Sequence, residues 1–170
     1  NILNFIIIFI ANIYFIYLFL NNSVLYMINF LCFLVLYICS ITDVVFKNIF
    51  VNIIMVFLVP ILLLNIYGNY MKMSIFGLLS GFLLYGSIYI LSKIIYKKEV
   101  FGIGDIYILS LIGFVTDWYT VLNIGLFTYI VAGVFYLVKF LFVRNKKLFK
   151  EQEVPLVPFM LVSYLMLIYF

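Results

Sequence analysis

Long apolar runs separated by short polar breaks make up nearly the whole chain. The runs cover residues 2–20, 24–41, 49–67, 74–96, 106–115, 119–143 and 154–170. Each except the fifth is long enough, or nearly so, for a helix rising 1.5 Å per residue to cross a hydrocarbon core of about 30 Å. The fifth covers only about 15 Å at that rise. A segment so short must thin the bilayer, re-enter, or line a cavity where its backbone meets water or protein. The pattern predicts an all-α polytopic transmembrane bundle of about seven spans, six or seven depending on the fifth. The first run has no basic leader and no small-residue cleavage site, so it reads as a membrane helix rather than a signal peptide.

Composition agrees. Of 170 residues, 69% are hydrophobic and 9% charged, far outside the range of water-soluble domains. No linker or soluble insertion interrupts the runs, and residues 1–170 read as a single integral membrane domain. The net charge of +4 is a topology signal. If the second run ends inside, Lys47, Lys93, Lys97, Lys98, Lys139, Arg144, Lys146, Lys147 and Lys150 all lie on inner loops or helix ends, and Lys72 alone lies outside. The stretch "RNKKLFKEQE" is then a solvated inner loop, able to meet anionic membrane lipid, and nothing suggests a nucleic-acid surface.

Candidate chemistry is narrow because the chain has no histidine. A histidine-based metalloprotease, a serine or cysteine nucleophile with a histidine base, and a histidine-held haem are all excluded. Cys32 and Cys39 lie two helical turns apart, too far for a disulfide, and read as packing residues; no metal site or cofactor is implied. The acids are Asp43, Glu99, Asp105, Asp117, Glu151 and Glu153. Asp117, beside Trp118, reads as an outer loop acid next to an interfacial anchor. Asp43, after the second run, and Asp105, before the fifth, both emerge at the inner face. Taken alone, Asp105 suits a helix N-cap, and the glycines of "GIGD" suit a sharp turn or a close approach.

The segments "CSITDVVFKNIFVN", "GIGDIYILSLIGF" and "VPLVPFMLVSYL" together resemble the type IV prepilin peptidases, GxGD aspartyl proteases that cut leader peptides from pilin-like precursors. The first carries Asp43 with Ile49 six residues on. The second carries Gly102, Gly104 and Asp105, and the third carries Pro155, Pro158 and Phe159. The resemblance covers 23–170 and leaves 1–22 as an extra N-terminal span. It implies catalytic Asp43 and Asp105, supported by the two glycines and the proline pattern, in a multi-pass protein of the inner or plasma membrane with its site facing the cytoplasm. The implied partner is a type IV prepilin or pseudopilin with a short basic leader and an apolar helix, in pilus assembly or protein secretion. The chain departs from the family pattern at Phe50, Tyr107 and Leu156. It shows neither a cysteine-rich zinc loop nor an N-methylating region, so only the peptidase activity is implied.

In such a site the two carboxyls hold a water, share a proton and act as base and acid on a peptide bond. Two other functions fit the same residues: a small transporter or channel subunit with an interfacial acid, and a non-catalytic scaffold of the same fold. Glu99, Glu151 and Glu153 stand among lysines, which weakens any pull on a basic leader. Gly77 and Gly81 form a small-xxx-small pattern for close helix contact, and Gly113, Gly125 and Gly133 are read likewise. The tyrosines are read as interfacial anchors or helix-packing residues.

Overall fold

The computed structural model describes residues 24–97, 102–142 and 154–169. The expected span 2–20, together with Lys98, Glu99, the basic stretch from Arg144 to Lys150, Glu151 and Glu153, lies outside the described residues. Among the described residues there are six helices and no strand: α1 Val24–Phe46, α2 Val51–Tyr67, α3 Met71–Tyr96, α4 Ile103–Val115, α5 Trp118–Phe142 and α6 Val157–Tyr169. Three of them, α1, α3 and α5, are long and apolar enough to cross a membrane, so seven spans are not what the described residues show. All six are apolar on every side rather than along one stripe, as helices between protein and lipid must be. Val56, Leu83, Ile94, Leu137, Leu141 and Phe142 are each about two-thirds or more exposed, a surface that water would not tolerate and hydrocarbon does. The chain is a membrane protein.

The short fifth run becomes α4, and its position explains its length. Ten of its 13 residues are buried, more densely than in any longer helix, so it stands at the centre of the bundle with the other helices around it. Its two ends meet the two ends of α2. A side-chain carbon on Gly104 would stand 2.7 Å from Ile49 Cδ1, just before α2. At the other end the amide of Asn65 donates to the Phe114 carbonyl at 3.1 Å, satisfying one of the last carbonyls of α4.

The approach of α3 to α4 depends on glycine. A Cβ on Gly77 would lie 2.0 Å from the Gly113 carbonyl oxygen, one on Gly113 would lie 2.1 Å from the Gly77 oxygen, and one on Gly81 would lie 2.6 Å from the Leu109 oxygen. The backbones therefore touch, giving the dispersion contact that holds helices together where lipid offers no hydrophobic drive. Gly125 packs against Leu84, Tyr85 and Leu109. Gly133 departs from expectation: a carbon built there meets nothing within 4 Å among the described residues, because this turn of α5 faces outward.

Helix α6 runs antiparallel to α1. The buried Tyr164 hydroxyl lies 3.0 Å from the Asn29 carbonyl and 3.1 Å from its Oδ1, fastening the far end of α6 to the start of α1. Tyr164→Phe leaves a buried acceptor without its donor and is expected to cost about 1–3 kcal/mol, read as a lower unfolding midpoint in detergent.

Candidate active site

Helix α1 does not stop at Ile41 but runs on through Asp43 to Phe46. Asp43 therefore lies inside the last turns of the helix and not after it. Its carbonyl accepts the Lys47 N–H at 3.0 Å, and Lys47 takes a left-handed conformation, φ 51°. This ends the helix and turns the chain so that Ile49 reaches Gly104.

The Asp43 side chain is 8% exposed, and its Oδ2 accepts the backbone N–H of Val157 at 3.1 Å. That contact explains the proline pattern. The Leu156 carbonyl takes the N–H groups of Phe159 and Met160, at 3.0 and 3.1 Å, starting α6. Pro155 and Pro158 have no N–H, and Pro158 supplies the fixed φ that suits a first helical turn. The Val157 N–H is left pointing out of the helix start, and Asp43 receives it where the helix dipole favours negative charge. Phe159 fixes this end of α6 against α5, with ring centroids 5.4 Å from Phe135 and 5.8 Å from Tyr136.

Asp105 is not the N-cap of α4. The cap is Gly102, with extended φ −74° and ψ 131°, and its carbonyl accepts the Asp105 N–H at 3.2 Å, which puts Asp105 at the third helical position. The carboxyl lies back over the glycine: a Cβ on Gly102 would be 3.1 Å from Asp105 Oδ2. No glycine among the described residues has a positive φ, so "GIGD" is not a sharp or unwound turn. Its glycines serve close approach instead, Gly102 clearing space for the carboxyl and Gly104 receiving Ile49.

Asp105 is 9% exposed, and it shares this end of the bundle with Asp43: α1 and α6 both contact α4, and Ile49, just past the end of α1, meets Gly104. Two acids far apart in sequence thus meet at one end of the bundle, the end at which α1 stops and α4 and α6 begin. Helix α5 brings two tyrosines toward this end, Tyr136 with its ring 5.8 Å from Phe159 at the start of α6, and Tyr129 one turn beyond the packing of Gly125 on Leu109. Neither tyrosine carries a sequence signal, being two of 15 in an aromatic-rich chain. Nor does the Val157 N–H, a backbone group that no side-chain pattern reveals. An enclosed pair of carboxyls can hold a water and divide one proton between them.

The remaining acid with described geometry has a different task. Asp117 caps α5, its Oδ2 accepting the N–H of Tyr119 at 3.1 Å and of Thr120 at 3.3 Å, while its Oδ1 accepts the Thr120 hydroxyl. Burial pushes this carboxyl up, but the bonds from Thr120 and the backbone outweigh it and hold the pKa below its ordinary value. With the folded pKa depressed, the contribution is complete above the unfolded value and is lost as pH falls through the folded one. Asp117→Ala is expected to cost about 1 kcal/mol of stability near neutral pH, as a melting curve would show. Cys32 and Cys39 are buried, unpaired core residues. Phe50 and Tyr107 are both partly open to the surroundings, each 44% exposed.

In comparison with known proteins, a family model described as the type IV leader peptidase family matches residues 30–138. The match takes in both aspartates and both glycines and ends before Pro155. No curated protein and no solved structure gives a significant match.

Proposed function

The chain belongs to the type IV leader peptidase family, and from that premise we propose that it is an aspartic endopeptidase of the membrane with Asp43 and Asp105 as its catalytic pair. Membership supports a leader-peptidase-like protease in general terms. The aspartic chemistry rests on one observation above all: two buried carboxyls, remote in sequence, lie at one end of the bundle inside the matched region.

The roles follow from the surroundings of each acid. Asp43 already accepts an N–H at a helix N-terminus, which suits the charged partner; Asp105, buried at the same end of the bundle, is the partner that holds the proton in this proposal. A water between them loses a proton to Asp43 as its oxygen bonds to the scissile carbonyl carbon. Asp105 hydrogen-bonds the carbonyl oxygen while it becomes an oxyanion. The proton taken up by Asp43 then passes to the departing amine nitrogen as the C–N bond breaks, and both carboxyls return to their starting state. No group other than the chain and water is required.

The substrate in this reading is a type IV prepilin or pseudopilin whose basic leader stays in the cytoplasm while its apolar helix lies in the membrane. The bond at their junction then meets the inner interface, where the positive-inside pattern puts Asp43 and Asp105. The test is direct. Purified protein mixed with a pilin-like precursor is expected to give one shortened product, with a mass that assigns the cut to the junction between leader and helix. An uncleaved precursor, under conditions in which another leader peptidase cuts it, contradicts the proposal.

A further inference from the structure

The Tyr129 hydroxyl is enclosed by protein, and among the described residues no group stands in good hydrogen-bond geometry to it. A buried polar group without a partner is destabilising and calls for an explanation. Its neighbour Tyr85, with ring centroids 5.5 Å away, has its own hydroxyl turned to the Gly125 carbonyl at 3.2 Å.

The helix register tells where Tyr129 stands. Gly125 of α5 packs on Leu109 of α4, a Cβ on the glycine falling 3.1 Å from Leu109 Cδ2. The two helices are joined through Thr116 and Asp117 and run antiparallel. One turn from that contact toward the Asp43 end, four residues back along α4 and four forward along α5, lie Asp105 and Tyr129 on the same facing sides.

We propose that Tyr129 is a third catalytic residue of this site, its hydroxyl donating to the carbonyl oxygen of the bound peptide as that oxygen becomes an oxyanion. The inference rests on the catalytic pair and extends it. A preorganised donor enclosed away from water stabilises developing charge far more than ground-state charge, so it acts on turnover and little on binding. The phenol is suited to this: it stays neutral, donates without adding a charge, and sits on a helix that also packs against α4 and α6.

The test compares wild type, Tyr129→Phe, Tyr85→Phe, Asp43→Asn and Asp105→Asn, purified in detergent, on a pilin-like precursor with a basic leader and an apolar helix. Phenylalanine keeps the ring and removes only the hydroxyl. Tyr129→Phe is expected to lower kcat about 100-fold with KM nearly unchanged and an unfolding midpoint no lower than wild type. Tyr85→Phe, whose hydroxyl bonds within the bundle, is expected to lower the midpoint and to change kcat by less than about tenfold. Wild-type kcat in Tyr129→Phe beside inactive Asp→Asn variants overturns the role of Tyr129 and leaves the pair standing. A raised KM at unchanged kcat, or a lowered midpoint, also overturns it, because either marks a packing residue. Cleavage that survives in the Asp→Asn variants overturns the pair, and the oxyanion role with it.

Discussion

Asp43→Asn and Asp105→Asn are each expected to lower precursor cleavage by about 10³-fold or more, equivalent to roughly 4 kcal/mol of transition-state stabilisation, while the protein still folds and inserts. The amide keeps the size of the acid and removes its ability to move a proton. At Asp43 the substitution is informative for a structural reason. An asparagine oxygen still accepts the Val157 N–H, so α6 keeps its place and the lost activity reports proton transfer alone. Asp43→Ala removes the acceptor as well and is expected to destabilise the protein in addition. The double variant should be no worse than either single one, because the two acids act as a unit. Initial rates of product formation, read beside unfolding midpoints, decide the matter. A graded loss, with one variant retaining a tenth or more of the activity, fits an ion-binding acid better than a proton-sharing pair.

Gly77→Ala and Gly113→Ala are expected to give the largest losses of stability from a single methyl group in this chain. The added carbon at either position meets a carbonyl oxygen of the facing helix at 2.0 or 2.1 Å, and a backbone atom cannot turn aside as a side chain does. Helices α3 and α4 must separate, giving up the contacts that hold the central helix. Overpacking in a dense core costs about 1–3 kcal/mol, and the upper end or beyond is expected here. Activity should fall too, since α4 carries Asp105. Gly133→Ala provides the contrast on α5: nothing among the described residues stands within 4 Å, so the gain in helix propensity should leave stability unchanged or raise it by up to about 1 kcal/mol. Unfolding midpoints in one detergent measure all three. Equal effects at Gly77 and Gly133 would contradict the close crossing.

The apolar runs locate the helices within a few residues, because in lipid a stretch must be helical if it is to satisfy its own backbone. Where the ends move, a tertiary partner is responsible. Polar Thr42 and Asp43 continue α1 past Ile41 because Thr42 bonds back to the Cys39 carbonyl and Asp43 finds Val157. Helix α4 starts at Ile103, ahead of its apolar run, because the Gly102 carbonyl collects the Asp105 N–H. The acids of the site stand out in the sequence since charge is so scarce, but their pairing, and Ile49 six residues after Asp43, are implied only by the family resemblance. The central position of α4 is not visible there, because a short apolar run reads the same whether lipid or protein surrounds it. Nor does the sequence distinguish Gly113, in contact with a neighbouring backbone, from Gly133, which faces outward. What a residue meets across the bundle is a property of register, and register is set by contacts such as Gly125 on Leu109 that no local pattern encodes.

The separation of the two carboxyl positions in the membrane tests the convergence of Asp43 and Asp105 most directly. With Cys32 and Cys39 replaced by alanine, the double variant Asp43→Cys, Asp105→Cys is treated in native membranes with a bifunctional thiol reagent spanning about 10 Å, beyond which a single bridging water is ruled out. A crosslink within one chain, absent from either single variant, is the predicted result. Two thiols that react one at a time without ever being joined, or that are labelled from opposite sides of the bilayer, would contradict it.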